Sequence, residues 1–228
     1  MTIRAKLYAA IVLTILGPLA TTAVALHGMS EMGDRFDEVR ARADDESLAR
    51  EIKFAVTDMN GWQTAYGYDG GRSRPQFVRS AATLTQNLQE ATKRLTDPTE
   101  RALIAQLRSQ FRGFMALDTV AYRALRANRG QLTKQIFLGP EILRFQSMAA
   151  TAERLASFET ARADAAARSF DDARHDARRR LIAVALGAAV VIILLLVAAN
   201  DVARLALEGE RHTRRRGSTA GGGEEEHS

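Results

Sequence analysis

Apolar and charged positions divide the chain into three parts. From Leu181 to Ala199, LIAVALGAAVVIILLLVAA, no charged or strongly polar side chain occurs, and Leu7 to Leu26, LYAAIVLTILGPLATTAVAL, is also free of charge. A helix of about 20 apolar residues crosses a hydrocarbon core of about 30 Å and satisfies its own backbone groups within it. Both stretches therefore predict membrane-spanning helices, and two spans leave both chain ends on one side. The first stretch also fits a second reading. A basic start, an apolar centre and the small residues Ala23-Val24-Ala25 describe a cleavable signal peptide as well. Its length, beyond the usual apolar centre of about 7 to 15 residues, and the helical periodicity that follows favour an uncleaved span, which Gly17-Pro18 is expected to bend.

Between the two stretches, apolar residues recur at alternating intervals of three and four. Met29, Met32, Phe36, Val39 and Ala43 form one stripe; past Asp44-Asp45-Glu46-Ser47 it resumes, offset, at Leu48, Ile52, Ala55, Met59, Trp62 and Tyr66. This predicts a helix with a register break, opened or overwound at the acidic stretch and ended by Gly67, Gly70, Gly71 and Pro75. A second helix starts near Pro75 and carries Phe77, Ala81, Leu84, Leu88, Ala91 and Leu95. Asp97-Pro98 then caps and opens a third, with Ile104, Leu107, Phe111, Phe114, Asp118, Ala121 and Leu125 on its seam and Asn128-Arg129-Gly130 at its end. After a connection containing Leu138-Gly139-Pro140, a fourth runs from Ile142 through Phe145, Met148, Ala152, Leu155, Phe158, Ala161, Ala165, Phe170, Ala173 and Ala177 into the second span with no break signal.

The expected fold class is all-α: an antiparallel four-helix bundle flanked by two transmembrane helices. Its parts are an amino terminus (1–6), a first span (7–26), the bundle (27–180), a second span (181–199) and a short basic, then low-complexity tail of disordered composition (200–228).

Charge supplies the orientation. Arg4 and Lys6 precede the first span and an acidic set, Glu31, Asp34, Asp37 and Glu38, follows it, whereas Arg204, Arg211, Arg214, Arg215 and Arg216 follow the second. Both termini are therefore expected in the cytoplasm, the bundle outside the cell membrane. Arg178, Arg179 and Arg180 oppose this assignment unless their stems snorkel to headgroups. The net charge of +5 concentrates beside the spans, which points to membrane lipid and not to nucleic acid as the basic residues' partner.

The chain has no cysteine, which excludes disulfides and thiolate metal sites, and only 4 prolines, which favours helix. Its histidines, His27, His175, His212 and His227, share no ligand spacing, and there is no phosphate loop or nucleophile elbow. Neither a metal, nor a cofactor, nor enzymatic activity is expected.

At Asp58 to Asp69, DMNGWQTAYGYD, the sequence resembles the outer sensory domain of bacterial methyl-accepting chemotaxis proteins of the four-helix-bundle type frequent in actinobacteria. Leu138 to Phe145, LGPEILRF, resembles the opening of that family's fourth helix, and Leu117 to Ala124, LDTVAYRA, its third; the similarity covers roughly residues 1–200. The resemblance implies a signal-receiving module, usually dimeric, whose fourth helix transmits a piston-like or rotational motion. In the family the second span leads into a linker that opens near a proline, then a long methylatable coiled coil. Asp201 to Glu210, DVARLALEGE, has no proline and nothing long follows it, so action through a full-length chemoreceptor or sensor kinase is expected.

Candidate chemistry collects on two helices. Asp118 occupies a seam position otherwise apolar and must meet donors, for which Asn60, Trp62, Gln63 and Tyr66 or an arginine are candidates. With Asp58 they form the candidate ligand-binding set: Asp58, Asn60, Trp62, Gln63, Tyr66 and Asp118. The same residues also fit a satisfied network that sets helix register, with Trp62 as core filler. Arg72 and Arg74, in the loop, are read as solvated or as an anion site. The function these features support is a membrane-anchored sensor of an unidentified small ligand; a non-signalling helical scaffold is the alternative.

Overall fold

In the computed structural model, the described residues are 3–218, with side chains at 3–11, 13, 14, 198, 201–203 and 205–218 left out. Every element among them is a helix: α1 (Ile3–Tyr68), α2 (Arg74–Arg94), α3 (Pro98–Arg126), α4 (Gly130–Ile136), a π-helical turn (Phe137–Glu141) and α5 (Ile142–Ser218). The chain is thus all-α, as its apolar spacing implies. It divides into two compact units, residues 34–171 and residues 1–33 with 172–228.

Within residues 34–171, α1, α2, α3 and α5 contribute to one core. Its largest fully buried side chains include Tyr66, Phe77, Phe114, Ile52, Met59, Leu84, Leu107, Met148 and Leu155. Each helix buries one stripe, and removal of those stripes from water is what holds the four together. The connections follow local chemistry. Asp97 accepts a hydrogen bond from the Thr99 amide at 2.8 Å while Glu100 accepts one from the Asp97 amide at 2.8 Å, a reciprocal cap with Pro98 behind it. Gly70 and Gly71 take φ of 70° and 99° after α1, where Asp69 accepts from the Gly71 amide at 3.1 Å and from Ser73 Oγ at 2.5 Å. The Ser73 bond holds Asp69 below the usual carboxylate range. Asn128, at φ 56°, ends α3 in the left-handed conformation.

Three expectations need correction. α1 passes unbroken through Asp44-Asp45-Glu46-Ser47. Its buried face is wide enough to absorb the offset, with neighbours Leu48 and Ala49, then Ala55 and Val56, buried together. The acids are satisfied sideways: Asp45 meets Arg94 at 3.0 Å, and Glu46 accepts from Arg50 and from Thr160 at 2.7 Å. Next, Trp62 is 36% exposed and Gln63, at 5%, takes the seam. Finally, the seam of α5 stops short of Ala161 and Ala165, both exposed. The α2–α3 turn is at Asp97, beyond which α1 and α5 are left as a pair. Two helices cover each other only partly, and contacts such as Phe36–Phe170 (ring centroids 6.2 Å) and Arg35 Nη1 donating to Ser169 Oγ (2.6 Å) replace a closed core.

In the other unit, one helical stretch within Gly130–Val197 is long and apolar enough to cross a membrane, with a mean hydropathy of 2.9 over its most apolar window and none of that window buried. Leu186, Leu194 and Leu196 are each more than 60% exposed. Of the predicted first span, the side chains of 7–11, 13 and 14 lie outside the described residues; Ile15, Leu16, Leu19 and Leu26 are exposed, and the helix continues through Pro18. Thr21 and Thr22 donate to the Gly17 and Pro18 carbonyls at 2.9 Å. Helix α5 extends to Ser218, well into the segment expected as tail, and 219–228 fall outside the described residues.

Candidate functional site

A buried polar cluster in residues 34–171 forms where the carboxyl end of α1, the start of α2, the later part of α3 and the π-helical turn meet. Asp118, fully buried on α3, receives three donors: the Tyr66 hydroxyl, Gln63 Nε2 at 3.4 Å and Arg74 Nη1 at 2.7 Å, all on Oδ1. Arg74 Nη2 lies 2.6 Å from Oδ2 as a charge contact outside hydrogen-bond alignment. The guanidinium is enclosed by rings, with its central carbon 4.9 Å from the Tyr66 centroid and 4.5 Å from those of Phe77 and Tyr122. Arg74 is therefore a structural cation of the core and not a solvated loop residue. Pro75, in the first turn of α2, fixes the backbone from which the arginine reaches back.

Gln63 joins Asp118 to a second buried acid, since its Nε2 also donates to Glu141 Oε1. The Asp118 carboxylate, paired with Arg74, only accepts, so the amide nitrogen faces it. Glu141 is 1% exposed and its Oε2 has no partner. Burial above all, and then the Asp118 charge, push its carboxyl from 4.5 up to about 8, against the Gln63 hydrogen bond and Arg74. At neutral pH Glu141 is consequently mostly protonated. Burial and Asp118 also push the Tyr66 phenol up, which keeps it a donor.

A cleft of about 390 Å³ opens beside this cluster, lined by Asn60, Gln63, Thr64, Gly67, Tyr68, Leu125, Gly130, Thr133, Lys134, Phe137, Leu138 and Ile142. Gly67 is required here: a Cβ on it would come within 2.5 Å of Phe137 Cε2, and Phe137 packs edge-on to Tyr66 at 5.7 Å.

Of the six candidates from sequence, Gln63, Tyr66 and Asp118 are brought together, and Asn60 lies with Gln63 on the cleft wall. Asp58 is separate: it accepts from Ser80 Oγ at 2.6 Å and lines another groove, between α1 and α2, with Arg50, Phe54 and Asn87. Trp62 lines neither cavity. As the partner of Asp118, Arg74 was anticipated only as an unspecified arginine, its own reading being a solvated loop residue or an anion site; Glu141 was missed. Its position directly after Pro140, in the turn, carries no periodic signal.

A second set of buried acids lies where the core ends. Glu100 pairs with Arg162. Glu159 is fully buried with neither carboxyl oxygen hydrogen-bonded. Burial first, and then Asp45 and Asp97, raise it to about 7, with Arg42 opposing. Neither cluster joins a nucleophile to an oriented base; both hold protons and charge inside packed helices.

No family model, no curated protein and no solved structure matches the chain.

Proposed function

We propose that the chain is a membrane-anchored, receptor-like sensor. Residues 27–180 form an antiparallel four-helix bundle outside the cell membrane, held by spans at 7–26 and 181–199, and the chemotaxis-receptor likeness of Asp58 to Asp69 belongs to this reading. The observation that carries it is the network Asp118–Gln63–Glu141, set beside an open cleft and ending on the last residue of the π-helical turn, directly before α5, which runs without interruption to Ser218 past the exposed apolar segment. A ligand in the cleft that touches Gln63 changes the hydrogen bonding at the start of a helix that leads to the membrane. The module acts as a homodimer and passes helix motion to a partner, a full-length chemoreceptor or sensor kinase, through contacts between spans.

A non-signalling scaffold is the second reading. It is favoured by the closure of the Arg74–Asp118 pair, which suits a network that sets helix register.

The cysteine-free chain offers a direct test of topology. Tyr68 is 89% exposed, so a Tyr68→Cys variant is a single-thiol reporter. Labelling by a membrane-impermeant maleimide in intact cells is expected. Labelling only after permeabilisation refutes the sensor reading. Crosslinking from residues near Leu186 then separates sensor from scaffold: a receptor or kinase partner supports the first, and capture of this chain alone supports the second.

A further inference from the structure

We infer that the cleft over Gln63 binds a monocarboxylate with an apolar body, seated with its carboxylate on Lys134. The inference rests on the sensor reading and names its ligand class.

Size and chemistry of the lining agree on this class. At about 390 Å³ the cleft lies at the small end of the range for small-molecule sites, about 300–1,000 Å³. One wall is hydrocarbon, formed by Leu125, Phe137, Leu138 and Ile142. Lys134 is the single charged side chain on the lining; it is exposed, and no ion pair engages it among the described residues. One cation without a second beside it suits a monoanion; phosphate and dicarboxylates would leave charge uncompensated.

Gln63 couples the cleft to the interior. Of the lining side chains it is the one bonded to buried acids, and its amide nitrogen is committed to Asp118 and Glu141. Behind it, Glu141 Oε2 is a buried atom with no hydrogen-bond partner. A built polar floor with unused capacity, an apolar wall and one free cation describe a site for a small amphiphilic acid.

The test uses the full chain in lipid nanodiscs and phenylacetate as the probe, with hexanoate as an aliphatic counterpart. 2-Phenylethanol and phenethylamine, of the same shape, serve as neutral and cationic controls. Binding is read by calorimetry and by the melting midpoint, since a ligand specific to the folded state raises it. Both acids are expected to raise the midpoint by several degrees while the alcohol and the amine do not. Lys134→Met is expected to weaken phenylacetate about tenfold or more and Lys134→Arg to retain it, with unliganded midpoints unchanged because the residue is exposed. Equal binding of acid and alcohol, or indifference to Lys134→Met, overturns the inference. Absence of binding by all four probes also overturns it; if the Tyr68→Cys reporter is still labelled from outside, the sensor reading survives that loss, whereas inward topology removes both.

Discussion

Glu159 makes the stability of the helical core depend on pH between 4.5 and about 7. It is fully buried at the end of the core, faces Asp45 and Arg42 from α1 and Asp97 from the α2–α3 turn, and neither of its carboxyl oxygens is hydrogen-bonded. Its pKa is about 7 in the folded protein against 4.5 for an unperturbed carboxyl. Below 4.5 the group is protonated whether the chain is folded or not, so it carries no charge penalty. Between 4.5 and about 7 the unfolded chain releases the proton first, and stability falls as pH rises. At about 1.4 kcal/mol per pKa unit, the loss reaches about 3 kcal/mol once the folded-state group has ionised. Glu159→Gln keeps the shape and cannot ionise. Melting the parent and Glu159→Gln side by side from pH 4.5 to 8.5 isolates this group, because Glu141 titrates equally in both. The variant's advantage is expected to grow from near zero at the acid end to a few kcal/mol above pH 7. A difference that stays flat, or that grows toward acid pH, refutes the reasoning.

Two further substitutions probe the site beside the cleft. Asp118→Ala leaves the Arg74 guanidinium among three aromatic rings without its counter-charge, and is expected to destabilise the fold by about 3 kcal/mol or more in chemical denaturation; Asp118→Ala with Arg74→Met recovers much of that loss. Gly67→Ala drives a methyl into Phe137 and is expected to cost about 1–3 kcal/mol and to weaken phenylacetate binding, read by calorimetry.

The site was partly readable from residue order. A charged residue on an apolar stripe has to find donors, and that argument alone singled out Asp118 and the end of α1. The apolar spacing put Trp62 on the seam, three residues after Met59, but Gln63, four after it and an equally good helical position, is the one buried. The choice was made by Glu141, which reaches the same point from a non-periodic turn: with Asp118 it makes two acceptors, which an amide NH2 serves with two donor hydrogens and an indole, with one, does not.

Local composition by itself determined the four long helices, the Asp97 cap and the apolar stretch near residue 181, because propensity, capping and spacing act over a few residues; the short α4 and the π-helical turn fall where a connection was expected. Tertiary structure decided which of the polar side chains are buried, where the core stops, and which acids hold a proton. Burial depends on how many helices surround a position. Side chains from α1, α2 and the π-helical turn close over Asp118 on α3, whereas the α1–α5 pair leaves Phe36 half-covered, and no short-range pattern encodes that difference.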